Sequence, residues 1–134
     1  MTEKQLTHEI VGAAIAVHRE LGPGLLEAVY EECLCYELTT RNIAFQRQQP
    51  IPAVYKGAKL DCGYRADIVV FGRIIVEIKA IASIAPVHDA VMLTYLRLSG
   101  CKIGLLINFY NPVLKDGVKR YVWKYAPSDA EEES

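Results

Sequence analysis

Apolar positions recur at helical spacing through the first third of the chain and at strand spacing through its middle. Leu6, Ile10, Ala13, Ala14, Val17 and Leu21 lie on one helical face, and Thr2-Glu3-Lys4-Gln5 ahead of them has the form of a capping box. A first helix is therefore expected up to Leu21-Gly22-Pro23-Gly24, where Gly22 suits the C-terminal turn and Pro23 cannot continue it. A second helix is expected from about Leu25 to about Arg41, burying Leu26, Val29, Tyr30, Cys33, Leu34 and Leu38. From Ile43 to Tyr55 the pattern is extended, and Pro50 and Pro52, which lack an N–H, place this strand at a sheet edge or a bend. Lys56-Gly57-Ala58-Lys59 reads as a turn, and Leu60–Phe71 and Ile74–Lys79 read as the arms of a β-hairpin. A third helix starts near Pro86, carries Val87, Ala90, Val91, Leu93, Thr94 and Leu98, and stops at Ser99-Gly100. Lys102–Asn108 is an apolar strand covered on both faces, and Val118–Tyr125 is a last strand. The order predicts an α/β layer fold with a mixed sheet.

In the stretch Asp67–Lys79, two apolar runs flank the Gly72-Arg73 turn, and three charges stand in them: Asp67, Glu77 and Lys79. Charges in such strands must pair, reach water or hold a metal. Glu77 and Lys79 are two apart and share a sheet face. A three-residue loop Phe71-Gly72-Arg73 sets Val70 opposite Ile74 and Asp67 opposite Glu77, on one face; a two-residue Gly72-Arg73 loop sets Asp67 opposite Ile78, on the wrong face. The odd loop, or a bulge with the same effect, is the expectation. The chemistry then has two readings. Two hard oxygen donors beside an ammonium suit Mg²⁺ and a phosphoryl substrate; a cross-strand ion pair on a solvated face accounts for the same residues.

Other candidates are weaker. Glu27, in the first turn of the second helix, is by spacing alone a carboxylate stabilised by the helix dipole. His18 and His88 stand singly, with no second His or Cys at ligand spacing. Tyr30 reads as a core residue whose hydroxyl finds a partner. There is no glycine-rich phosphate loop after a strand and no arguable Ser or Cys nucleophile.

Length and composition fit one domain, residues 1–127, followed by an acidic, disordered tail at 128–134. The net charge of −1 argues against a strongly basic nucleic-acid coat, yet setting aside Asp129, Glu131, Glu132 and Glu133 leaves +3, so a phosphate-binding surface is allowed. Cys33, Cys35, Cys62 and Cys101 have no paired C-x-x-C spacing and read as reduced. With no signal-like N-terminus and no run approaching the roughly 20 apolar residues of a bilayer span, the expected location is the cytoplasm, with no membrane partner.

Gly24-Leu25-Leu26-Glu27-Ala28-Val29-Tyr30 matches the signature of the GxxExxY proteins, a branch of the PD-(D/E)xK phosphodiesterase superfamily. The similarity continues through Val17–Gly24, Tyr55-Lys56-Gly57, Gly63–Asp67, Val76–Ala80, Pro86-Val87-His88, Gly104–Phe109 and Leu114–Gly117, in order from about residue 6 to 123. The resemblance implies a restriction-endonuclease-like three-layer core, a central mixed β-sheet flanked by helices. It implies a nuclease using Mg²⁺ (or Mn²⁺) on a nucleic acid, DNA ahead of RNA, and is compatible with a homodimer. Asp67, Glu77, Glu27 and the Ile78 carbonyl would hold the metal, and Lys79 would orient water or stabilise the transition state; Asp67, Glu77, Lys79 and Glu27 form the implied catalytic set. Two positions depart from the pattern: Ala66 stands where the superfamily's name has proline, and Val91 where related sequences tend to carry glutamine on the third helix. The second departure motivates a rival expectation, a nuclease-fold module that binds nucleic acid or protein without cutting.

Overall fold

The structure is a computed structural model that describes residues 1–124; the expected tail at 128–134 and the last three residues of the expected domain lie outside the described residues. Helices α1 (Glu3–Leu21) and α2 (Glu27–Thr40) come first, then strands β1 (Phe45–Pro50), β2 (Ala53–Tyr55), β3 (Ala58–Leu60), β4 (Arg65–Val70) and β5 (Ile74–Lys79). Helix α3 (Pro86–Ser99), β6 (Ile103–Asn108), a 3-10 turn (Leu114–Gly117) and β7 (Val118–Val122) follow. Five strands form a mixed sheet in the order β1-β4-β5-β6-β7, in which only β5 and β6 run parallel, joined through α3. Its face bearing Ile68, Val70, Ile74, Val76, Ile78 and Leu105 packs on α1 and α2. Its other face, bearing Val69, Ile75 and Leu106, packs on α3 through Met92, Tyr95 and Leu96. This is the expected three-layer, restriction-endonuclease-like arrangement.

Local chemistry explains the element ends. Thr2 and Gln5 make the reciprocal capping bonds, Thr2 N–H to Gln5 Oε1 at 2.8 Å and Gln5 N–H to Thr2 Oγ1 at 3.1 Å. Between α1 and α2 the chain passes through left-handed backbone at Gly22 (φ 71°) and Gly24 (φ 101°), which only glycine adopts without strain. Tyr30 bolts this loop: its hydroxyl donates to Gly22 O at 2.6 Å and accepts from Leu25 N–H at 3.1 Å, while its ring stacks on Phe109 at 4.4 Å. Tyr30→Phe keeps the stacking and deletes both bonds, so thermal unfolding should show a loss of about 1–2 kcal/mol.

Several sequence expectations shift. Leu60–Phe71 is not one strand: β2 and β3 pair with each other as a separate hairpin, and β4 begins only at Arg65. The extended run Ile43–Tyr55 divides at Ile51-Pro52 into β1, at the sheet edge, and β2. Helix α2 starts two residues later than expected and leaves Leu26 76 % exposed, because Leu26 lies before its first turn; Val29 is also exposed. Helix α3 presents Met92, Tyr95 and Leu96 to the sheet and leaves Val87, Val91 and Leu93 exposed. β6 is buried at all six positions, as expected of a strand covered on both faces.

Candidate functional site

Asp67 and Glu77 come together because the hairpin takes the odd loop. Pairing runs Val70↔Ile74, Val69↔Ile75 and Ile68↔Val76, with Phe71-Gly72-Arg73 as the loop and Phe71 (φ 52°) and Gly72 (φ 65°) both left-handed. One step further the register sets Asp67 opposite Glu77, and there the backbone ladder stops. The two side chains take over: Asp67 N–H donates to Glu77 Oε1 at 2.9 Å, and Ile78 N–H donates to Asp67 Oδ2 at 2.8 Å. Each carboxylate thus uses one oxygen on the opposite strand's backbone. From Glu77 onward β5 keeps its other neighbour, pairing Glu77↔Leu106, Ile78↔Ile107 and Lys79↔Asn108.

The electrostatics are those of two acids brought together where water is scarce. Glu77 is 8 % exposed. Burial, and then the Asp67 charge, push its carboxyl up to about 8, against the opposing pull of the Asp67 N–H and the Lys79 ammonium. Lys79 is half-buried and lies within electrostatic range of Glu77, but among the described residues it forms no ion pair with either acid. The closed cross-strand ion pair is therefore not what the fold builds. Two adjacent acids, one of them desolvated, make a set of hard oxygen donors with an unmet demand for positive charge. That chemistry fits a divalent cation. Among the described residues no three His, Cys, Asp or Glu side chains group closely enough to hold a metal by themselves, so water, substrate oxygens or a backbone carbonyl must complete any shell.

Glu27 enters from the other layer. Its Oε2 accepts from Ala80 N–H at 3.3 Å, which ties the start of α2 to the residue after Lys79. The structure thus brings Glu27 to the same end of β5 without placing it in a three-carboxylate group with Asp67 and Glu77. Ile78 has its side chain in the core and its N–H on Asp67. The histidines serve the fold: His18 Nε2 bonds Asn111 O at 2.9 Å, and His88 Nδ1 accepts from Ala85 N–H at the start of α3.

Two residues at the site escaped sequence reasoning. Tyr95, on the inward face of α3, has its hydroxyl raised in pKa by burial first and then by the charges of Glu77 and Asp67, so it lies in the field of the acid pair. Its position one helical turn beyond Val91 was the available signal. Asn108 sits opposite Lys79, almost fully buried; its Oδ1 accepts from Ile81 N–H at 3.1 Å and its Nδ2 donates to Ile81 O at 2.8 Å. That carboxamide fixes the exit of β5 and hence the strand that carries Lys79. Asn108→Ala should cost about 2–3 kcal/mol of stability by leaving buried backbone groups unpaired, read by thermal or denaturant unfolding.

No curated protein matches this chain, and no solved structure does. A family model described as the PD-(D/E)XK nuclease superfamily matches residues 4–121, which takes in both helices of the first layer, the whole acid hairpin, α3 and most of β7. The chain belongs to the PD-(D/E)XK nuclease superfamily.

Proposed function

We propose that this protein is a divalent-metal-dependent nuclease of the GxxExxY branch, acting through one domain over residues 1–127. The observation that carries this reading is the break in the β4–β5 ladder, where two carboxylates, each anchored by a backbone N–H, meet near an ammonium that forms an ion pair with neither. The branch assignment is supported by the work its signature residues do here: Tyr30 pins the glycine loop and Glu27 reaches the end of β5. Asp67 and Glu77, with the Ile78 carbonyl, would hold Mg²⁺ or Mn²⁺, and Glu27 stands at the rim. Such an ion, when bound, supplies an acidified water and neutralises charge building on a phosphoryl group. The backbone bonds keep the Asp67 and Glu77 oxygens in fixed directions, so little reorganisation is required at the moment of reaction. Lys79 contributes a positive charge on the same sheet face as Glu77, suited to orienting the attacking water or to the charge that develops on phosphate.

The test is cleavage of single- and double-stranded DNA and RNA with Mg²⁺ or Mn²⁺ at millimolar concentration. The wild-type chain should cut at least one of these, and Asp67→Asn should reduce the rate by about 10³-fold or more. Equal activity of the two proteins would attribute the cutting to something else and sink the assignment. Val91, exposed on α3 without a carboxamide, favours a second reading as a module that binds without cutting. Salt-dependent nucleic-acid binding, with no cleavage under any metal, would decide for it.

No helix among the described residues is long and apolar enough to cross a membrane.

A further inference from the structure

We propose that Gln48 is a positioning residue for Asp67, holding that carboxylate from the edge strand and thereby setting the affinity of the acid pair for a divalent cation. This rests on the reading of Asp67 and Glu77 as a cation-holding pair. The register Arg47↔Ile68 and Gln49↔Ala66 puts Gln48 directly across from Asp67, yet that one pair is missing from the ladder. Gln48 has left-handed backbone, φ 49°. Among the described residues three other non-glycines do, and each lies in a turn: Asn42 after α2, Lys56 between β2 and β3, and Phe71 in the hairpin loop. Gln48 alone is strained within the bounds of a strand. Such strain persists only where surrounding contacts over-determine it, and it gathers at functional sites.

The contacts here are polar and specific. Gln48 is exposed, so no core packing explains its backbone. Its Nε2 donates to Glu31 Oε1 at 3.0 Å and lies 3.5 Å from Asp67 Oδ1, at the outer edge of bonding. Glu31 is itself fixed by Arg47, which bonds its Oε2 at 2.8 Å and Glu32 at 2.6 Å. Asp67 is therefore restrained at both oxygens, Oδ2 by Ile78 N–H and Oδ1 by a carboxamide anchored on α2. Asp67 is also the residue at which both flanking ladders fail, the one to β1 at Gln48 and the one to β5 at Glu77. With the backbone freed on both sides, side chains must hold it. A hydrogen-bonding neighbour that orients a ligand is typically worth about 10–100-fold in metal affinity.

The experiment uses the full chain and Mn²⁺ alone, read as the rise in melting temperature across a Mn²⁺ titration, with Gln48→Gly and Gln48→Ala beside the wild type. Without Mn²⁺, Gln48→Gly should melt above the wild type, because glycine relieves the left-handed strain. Both variants should need at least about 10-fold more Mn²⁺ for half of the melting shift. In the cleavage assay, kcat at saturating Mn²⁺ should stay within about 3-fold of wild type while the Mn²⁺ requirement rises, a split that a general loss of structure would not produce. A Gln48→Gly protein that melts lower than wild type, or that responds to Mn²⁺ at the wild-type concentration, overturns the proposal alone. A wild-type chain that does not respond to Mn²⁺ overturns the cation reading, and this proposal with it.

Discussion

Lys79→Ala should lower the rate of phosphodiester cleavage by about 10²–10³-fold while leaving the Mg²⁺- or Mn²⁺-induced rise in melting temperature intact. Lys79 shares a sheet face with Glu77 and forms no ion pair with the acids, so its removal subtracts a positive charge from the site without disturbing the oxygens that would hold the cation. The acids are held by backbone N–H groups of Asp67 and Ile78, which an alanine at 79 leaves in place. Single-turnover rates at saturating metal, set beside metal titrations of thermal stability, separate the two effects. Loss of the metal response together with the rate would make Lys79 a structural partner of the acids rather than a contributor to the chemistry.

Glu77→Gln should abolish cleavage and at the same time stabilise the metal-free protein, more so as pH rises. The carboxyl of Glu77 has its ordinary value near 4.5 in the unfolded chain and is pushed up to about 8 in the fold, by burial first and by the Asp67 charge second. Between these values the folded protein keeps a proton that the unfolded chain has released. Stability therefore falls as pH rises through that window, and above about pH 8 the folded state carries the full cost of a buried anion beside another, roughly a few kcal/mol. Glutamine carries no such charge. In the presence of a chelator, the melting temperatures of wild type and variant should nearly coincide at pH 4.5 and diverge steadily up to pH 8.5, with the variant higher. A cation competes with the same proton, so the wild-type response to Mn²⁺ should strengthen over that range. A pH-independent gap between the two proteins would refute the account of Glu77 as a desolvated acid.

These two outcomes describe a site that trades stability for chemistry. A hydrophobic sheet would be more stable with a continued ladder past Ile68↔Val76. Instead the strands separate by the reach of two carboxylates, and the cost is partly offset by two backbone-to-carboxylate bonds. Tyr95 from one layer and Glu27 from the other approach the same end of the sheet, so the site depends on both helical layers being docked.

How much of this was legible beforehand varies by residue, for physical reasons. A 3.6-residue apolar period marked α1 because it reports which helical face is buried, and unbroken apolar runs marked the hairpin and β6 because strands covered on both faces show no alternation. The symmetry of Asp67 and Glu77 about Gly72 reduced the site to one question of loop length, which the left-handed Phe71-Gly72 turn answers. Periodicity placed Tyr30, Leu34 and Leu38 of α2 in the core but overreached at Leu26 and Val29, which are as apolar as core residues; for α3, only the docking of the helix decides which apolar side meets the sheet. The separate β2–β3 hairpin was likewise invisible, because two short runs joined by Lys56-Gly57 pair with each other wherever the main sheet does not claim them.

The sequence by itself determined the order of helices and strands, the hairpin that carries Asp67, Glu77 and Lys79, and the membership shown by matches spread from one end of the fold to the other. Tertiary structure alone decided that the acids bond to backbone rather than to Lys79, that the Gln48 carboxamide on the edge strand approaches Asp67, and that Asn108 and Tyr95 lie close to the candidate site. The division follows from range: burial pattern and turn chemistry are encoded within a few residues, whereas a hydrogen bond between Glu27 and Ala80, 53 positions apart, exists only after the intervening chain has folded.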